Sequence, residues 1–337
     1  MSISLKPLSQ QSIVITGASS GIGLATARRA ARSGARVLLV SRNDGALREA
    51  VDEIKADGGQ AAWLAADVSD YDYAVKVGAK ADEEFGGFDT WVNNAAASLY
   101  ARLENVSEEE HRQVFQTGYF GTVAGSLHAA RELRKRGGGA IINVGSVLSE
   151  RAVAVQGTYS AMKHAVLGFT EALRMELEED EAGISVTLIK PNGMDTPYPE
   201  HARNKMDKPA AIPPLVYDPE LVAKAICFAC ETPRRELLVG GQGYALTKLG
   251  NLFPGTMDKI MERFFMEPAQ SSDTPPEPAM RDSLFEPRKD GRVRSNQGGF
   301  VRKSSLALEA QMHPVAAMAI GLTAIAAAGF LSRGSRH

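Results

Sequence analysis

The sequence predicts an α/β fold: a doubly wound, parallel, seven-stranded sheet with helices on both faces, followed by a C-terminal extension. Three observations carry that prediction. Over the first 190 residues, short apolar runs alternate with longer helical stretches. The runs are apolar at consecutive positions, as strands covered on both faces must be. A glycine-rich segment joins the first run directly to the first helix, where a strand-to-helix turn belongs.

The strands, in order, are Ser12–Thr16, Arg36–Ser41, Ala61–Ala66, Thr90–Asn93, Ala140–Val144 and Ser185–Lys190, with a seventh at Glu236–Val239. Between Gly193 and Tyr217 stand Pro197, Pro199, Pro209, Pro213 and Pro214, which oppose regular pairing, so this segment reads as a long functional loop. Asp218-Pro219-Glu220 restarts a helix, with Asp218 as N-cap and Pro219 at the first helical position. A chain of 337 residues exceeds what one such domain needs. The expected division is a nucleotide-binding catalytic domain at 8–250, a helical and low-complexity linker at 251–313, and an apolar helix at 314–332. From Glu267 to His313 the composition shifts to Pro, Ser, Gln and Arg with little apolar periodicity, which suggests exposed chain. Val315–Leu331 then runs 17 residues without a charge, about 25 Å as a helix. It could be a membrane anchor, a helix docked on the protein or a partner subunit, or a mobile tail.

Hydrophobic residues at 44% and charged residues at 23% give a sizeable core and argue against disorder over most of the length. A formal net charge of -2 provides no general attraction to phosphate backbones or anionic membranes, so no nucleic acid partner is expected. Cys227 and Cys230 have CxxC spacing but lack a second cysteine pair or histidine partners, so they read as small core residues and no metal is expected. The N-terminus carries no charged leader ahead of an apolar run, and the bulk of the chain reads as cytoplasmic.

Thr16-Gly17-Ala18-Ser19-Ser20-Gly21-Ile22-Gly23 follows the first strand and opens a helix. A backbone that turns sharply and lets a diphosphate approach cannot carry side chains there, and the helix behind it presents free N–H groups and a partial positive charge. At the end of the second strand an acidic residue would bind a ribose with a free 2′-hydroxyl. The sequence has Ser41-Arg42 instead, and an arginine can face a 2′-phosphate, so NADP(H) is favoured over NAD(H). Asp67-Val68 and Asn93-Asn94-Ala95-Ala96 end the third and fourth strands, also at the nucleotide-binding edge.

Tyr159 and Lys163 lie four residues apart, on one helix face. A phenol can deliver a proton to a carbonyl oxygen as hydride reaches carbon, and a neighbouring ammonium stabilises the phenolate. Ser146 ends the fifth strand thirteen residues earlier, and its hydroxyl can stabilise charge on the substrate oxygen.

The ordered set of glycine turn, Asn93-Asn94-Ala95, Ser146 and Tyr159-x3-Lys163 resembles the short-chain dehydrogenase/reductase family over about residues 8–250. The resemblance implies a Rossmann-type fold and hydride transfer between nicotinamide and a ketone or secondary alcohol, with Ser146, Tyr159 and Lys163 catalytic. It further implies that Asp67 and Val68 contact adenine, that Asn94 and Ala95 support the nicotinamide side of the sheet, and that Lys163 holds the nicotinamide ribose. Lys190-Pro191-Asn192-Gly193-Met194-Asp195-Thr196 is similar to the family's Pro-Gly-x3-Thr, which places Pro191 and Thr196 at the nicotinamide. A homo-oligomer, dimer or tetramer, is implied as well.

One position departs from the family. Where members carry a relay Asn in Asn-x2-Gly, this chain has Gly118-Tyr119-Phe120-Gly121. Glycine costs a helix about 1 kcal/mol relative to alanine, so Gly118 signals close packing or a kink. A water on a freed backbone carbonyl, Gln116 or Thr117 could replace the relay, or turnover could be slow. The alternative function is therefore an NADP(H)-binding sensor or scaffold with little turnover; a nucleotide-sugar epimerase or dehydratase fits less well. Leu99, Tyr100, Met194, Tyr198 and Met206 are apolar candidates for the substrate pocket.

Overall fold

The computed structural model describes residues 3–273, 282–288 and 291–319. Its sheet comprises β1 (Ser12–Thr16), β2 (Arg36–Ser41), β3 (Gln60–Ala65), β4 (Thr90–Asn93), β5 (Gly139–Val144), β6 (Ile184–Pro191) and β7 (Glu236–Val239). All run parallel, in the order β7-β6-β5-β4-β1-β2-β3. The chain winds outward from β1 through β2 to β3, then returns to start again at β4. That reversal opens a crevice at the carboxyl ends of β1 and β4, where ligands of such sheets bind.

The strands divide their side chains between two layers. Ile13 and Ile15 enter one buried cluster with Leu39 and Ile142, whereas Val14 enters the opposite one with Leu38 and Trp91. This is the period-two geometry of a pleated strand with apolar residues at every position. Against the first layer pack α1 (Gly21–Arg32) and α2 (Asp44–Ala56); against the second, α3 (Tyr73–Phe85). The chain continues through α4 (Glu108–Phe115), α5 (Gly121–Lys135) and α6 (Gly157–Glu179), of which α5 and α6 complete the second layer. Then come the single turn α7 (Tyr198–His201), α8 (Glu220–Glu231) on the first layer, α9 (Gly241–Leu252), α10 (Pro254–Phe264) and α11 (Leu306–Met312).

The sequence places β3, β5 and β6 within one residue of their observed ends. Helix α8 starts at Glu220 rather than Pro219, yet Asp218 still caps it by accepting from the Glu220 amide at 3.0 Å. Cys227 and Cys230 are buried free thiols on α8, and burial pushes the Cys227 thiol up to about 12, which suits packing rather than chemistry.

The stretch that reads as exposed chain lies instead against the body in its described parts. Leu284, Val293, Leu308 and Met312 are all buried in the clusters of the main domain. Val301–Arg302 pairs in parallel with Val216–Tyr217. Its polar composition misleads because much of the docking runs through ion pairs and backbone groups. Residues 320–337, and with them most of the apolar segment 315–331, lie outside the described residues. Among the described residues no helix is long and apolar enough to cross a membrane.

Candidate active site

Thr16 ends β1 and organises the turn. Its hydroxyl accepts from the Asn94 and Ala95 amides at 3.0 and 3.1 Å, tying β1 to β4 across the crevice. The Asn94 side chain donates back to the Thr16 and Gly17 carbonyls at 2.9 and 3.2 Å. Gly17 has φ +66°, and a Cβ there would lie 2.9 Å from the Ala95 backbone. At Gly23 a Cβ would run into the Gly17 carbonyl. The glycines are thus required by the turn's own geometry. Asn94 and Ala95 shape the turn from behind and also line the cleft.

The cleft is a cavity of about 500 Å3. Gly17, Ser19, Ser20, Gly21 and Ile22 form one end of its floor, and Ser41, Arg42, Asp67 and Val68 flank it where β2 and β3 end. Gly23 is not among its lining residues; it shapes the turn from within. Arg42 lies 3.6 Å from the Asp67 carboxylate, whose other oxygen accepts from the Ser69 amide at 2.9 Å. Pro191 and Thr196 stand over the far wall, and a Cβ built on Gly21 would be 3.5 Å from the Thr196 side chain. The loop after β6 and the glycine turn therefore face each other at van der Waals distance.

Ser146, Tyr159 and Lys163 meet in the same cavity. Ser146 caps a short turn by accepting from the Leu148 amide at 3.1 Å. Lys163 is buried and donates to the Val144 carbonyl at 2.7 Å; its ammonium sits 5.6 Å from the Tyr159 ring centroid. Burial lowers the Lys163 ammonium to about 8. Burial raises the Tyr159 phenol, and hydrogen bonding with Ser146 and Tyr198 works against that rise.

Gly118 has a packing explanation. A Cβ there would lie 2.5 Å from Met162 Sδ, on the turn of α6 between Tyr159 and Lys163. Residues Gln116–Phe120 form a π-helical turn between α4 and α5, the kink that the glycine signals. The Gly118 carbonyl accepts from Thr122 Oγ1 at 2.8 Å, and Gln116 donates to the Ser69 carbonyl at 2.8 Å, whereas Thr117 lines the cavity.

Tyr100, Met194 and Tyr198 also line the cavity. Leu99 does not: it is buried with Val114 and Met162 in a separate, smaller cluster. Met206 likewise turns away, packing against Tyr100, Val155 and Ala202. The period of two explains the first case, since adjacent residues of an extended segment point to opposite sides. Residues the sequence did not single out include Ser98, Gln156 and Arg288. Tyr198 Oη lies 2.5 Å from Ser98 Oγ and donates to Gln156 at 2.9 Å, and Gln156 donates to Gln270 at 2.7 Å. These partners are scattered from 98 to 270, and no local spacing announces them. The loop bearing Tyr198 is braced below by Glu110: burial pushes its carboxyl up, but hydrogen bonds from Lys205, the Ser107 amide and Arg203 hold it down at about 2.

A family model described as short chain dehydrogenase matches residues 11–207. The chain is 43% identical over 330 residues to YxnA of Bacillus subtilis (strain 168), described as an uncharacterized oxidoreductase, across 97% of this chain and 92% of that one. Ketoacyl reductase HetN of Nostoc sp. (strain PCC 7120) is 28% identical over 265 residues, 76% of this chain and 90% of its own length. Among solved structures, L-sorbose reductase from Gluconobacter frateurii, complexed with NADPH and L-sorbose, is similar with a TM-score of 0.61 and 25% identity, covering 71% of this chain and 97% of that one. A model spanning more than half the chain and a relative alike along nearly all of it establish that this chain belongs to the short-chain dehydrogenase family of oxidoreductases.

Proposed function

We propose that the protein is an NADP(H)-dependent oxidoreductase that interconverts a ketone and a secondary alcohol, with Tyr159 as general acid/base. The observation that carries this is the convergence of the glycine turn, Arg42, Ser146, Tyr159 and Lys163 on one cavity. The residues fit a dinucleotide: Gly17 and Gly21 leave the turn open where phosphates would approach, a helix N-terminus stands behind it, and the cation Arg42 stands at the end of β2. The nicotinamide, when bound, supplies or takes the hydride.

The chain's own residues handle the proton. At neutral pH Tyr159 holds its proton and Lys163 holds its charge, the pairing that carbonyl reduction requires. As Tyr159 gives up its proton, the Lys163 ammonium stabilises the phenolate left behind. Ser146 Oγ would stabilise charge on the reacting oxygen. Pro191 and Thr196 would hold the nicotinamide end, and Asp67 and Val68 the adenine end.

Cofactor preference rests on Arg42, with Ser41 beside it in place of a carboxylate. The NADPH in the similar L-sorbose reductase supports the same reading. The sensor alternative lost its motive with Gly118, whose absent side chain makes room for Met162. A homo-oligomer remains the expectation for the assembled enzyme.

Two variants test the proposal. Tyr159→Phe should lower kcat by roughly 10²–10⁴-fold with NADPH affinity intact; retained turnover refutes the assignment of the acid. Arg42→Ala should weaken NADPH binding by about tenfold or more and weaken NADH binding distinctly less. Equal losses for both nucleotides would reject the 2′-phosphate role.

A further inference from the structure

The family model ends at residue 207, yet a segment far beyond it crosses the adenosine end of the cleft. Its peptide carbonyls take the donors on the rim. Arg42 donates to the Phe285 carbonyl at 2.9 Å and also to that of Ser283. The Asn43 side chain donates to the Arg288 carbonyl, and the Gly21 amide, at the head of α1, donates to the Arg292 carbonyl at 2.9 Å. Ion pairs and a hydroxyl fasten the segment on its outer side: Asp282 to Arg203, Arg292 to Glu200, Arg294 to Asp218, and Ser295 to Asp195.

The segment does not fill the cleft. The cavity of about 500 Å3 remains, lined by Ser283, Pro287 and Arg288 of this segment together with the glycine turn. Carbonyl groups on the rim and open volume below describe a roof. Arg42 stands at the junction, so the group proposed to meet a 2′-phosphate is also the mount of the roof. Arg288, whose guanidinium donates to the Glu200 carbonyl, lines the cavity at the same end as a second cation.

We propose that residues 282–288 and 291–295 form a clamp over the adenosine end of bound NADP(H), with Arg288 as its phosphate-facing residue, and that nucleotide exchange requires this clamp to lift. The proposal rests on the reading of the cleft as an NADP(H) site. It predicts mutual stabilisation: the nucleotide holds the clamp shut, and the clamp slows release of the nucleotide.

Hydrogen exchange on the full chain, read over 282–288 and 291–297 with and without NADPH, tests the first half. Exchange should slow at least tenfold with NADPH. Faster exchange would mean that the nucleotide displaces the segment, and unchanged exchange that the two do not meet; either overturns the clamp. For the second half, Asp282→Ala combined with Arg294→Ala removes two fastenings outside the catalytic machinery. NADPH release, followed by nucleotide fluorescence in stopped flow, should quicken about tenfold while hydride transfer in a single turnover stays within twofold. An unchanged release rate also overturns the clamp. If neither NADPH nor NADH binds the unaltered protein, the reading of the cleft itself fails, an outcome distinct from binding without a clamp.

Discussion

Lys163 combines two demands that pull in opposite directions. The proposed catalysis asks for a cation beside Tyr159, and burial disfavours one, holding the ammonium to about 8 against an ordinary value of 10.5. In the free enzyme, kcat/KM for carbonyl reduction should therefore be flat below about pH 8 and decline above it as the charge is lost; a pH profile flat to 10 would separate Lys163 from the acid's function. The same depression has a stability sign. The folded state releases this proton more readily than the unfolded state, so the lysine's penalty eases as pH rises from about 8 toward 10.5. Urea melts at pH 7.5 and 10 should show that Lys163→Met removes that upward slope. Buried tyrosines with raised phenols, such as Tyr73, pull stability the other way above pH 10, so the comparison of variant with parent carries the result.

The π-turn between α4 and α5 shows how one element is shaped by its neighbour. Gly118→Asn would restore the family's side chain but press a Cβ to 2.5 Å from Met162 Sδ. It should cost roughly 1–3 kcal/mol in a denaturation titration, and pairing it with Met162→Ala should recover part of the loss. A neutral Gly118→Asn would show that the turn yields easily. The main strands and the glycine turn were legible because each follows from a local rule: apolar runs for strands covered twice, glycine where a turn must pass close to β4. The wall of the pocket was less legible. Leu99 and Met206 are apolar in the right region yet point away, and Tyr198 finds Ser98, Gln156 and Gln270 only through the fold. Arg42 was legible as a cation at the end of β2. That two carbonyls from residues 283 and 285 would occupy it was not, because a backbone acceptor leaves no trace in side-chain type.

At the scale of the molecule, the extension is part of the body. Leu308 is fully buried among residues of the first layer, although it stands some seventy residues beyond the last sheet strand. Leu308→Ala should therefore cost about 2–5 kcal/mol, as for any core leucine; a loss below about 0.5 kcal/mol, typical of a surface site, would show the extension to be dispensable to the fold. The similar L-sorbose reductase is matched almost end to end by 71% of this chain, so about three tenths of the length here is additional to that architecture. The described extension returns to the glycine turn, to Arg42 and to the loop between β6 and α8.

This arrangement sets an order of events during synthesis. The last sheet strand is complete at Val239, but the roof over the cleft needs residues up to Ser295, and the pairing with Val216–Tyr217 needs Arg302. At about 5–20 residues per second, the ribosome makes that intervening chain in roughly 3–13 s. For that interval a nascent chain can hold a finished sheet whose crevice is still uncovered, and nucleotide from the surrounding solution can reach it without waiting for any part of the protein to move.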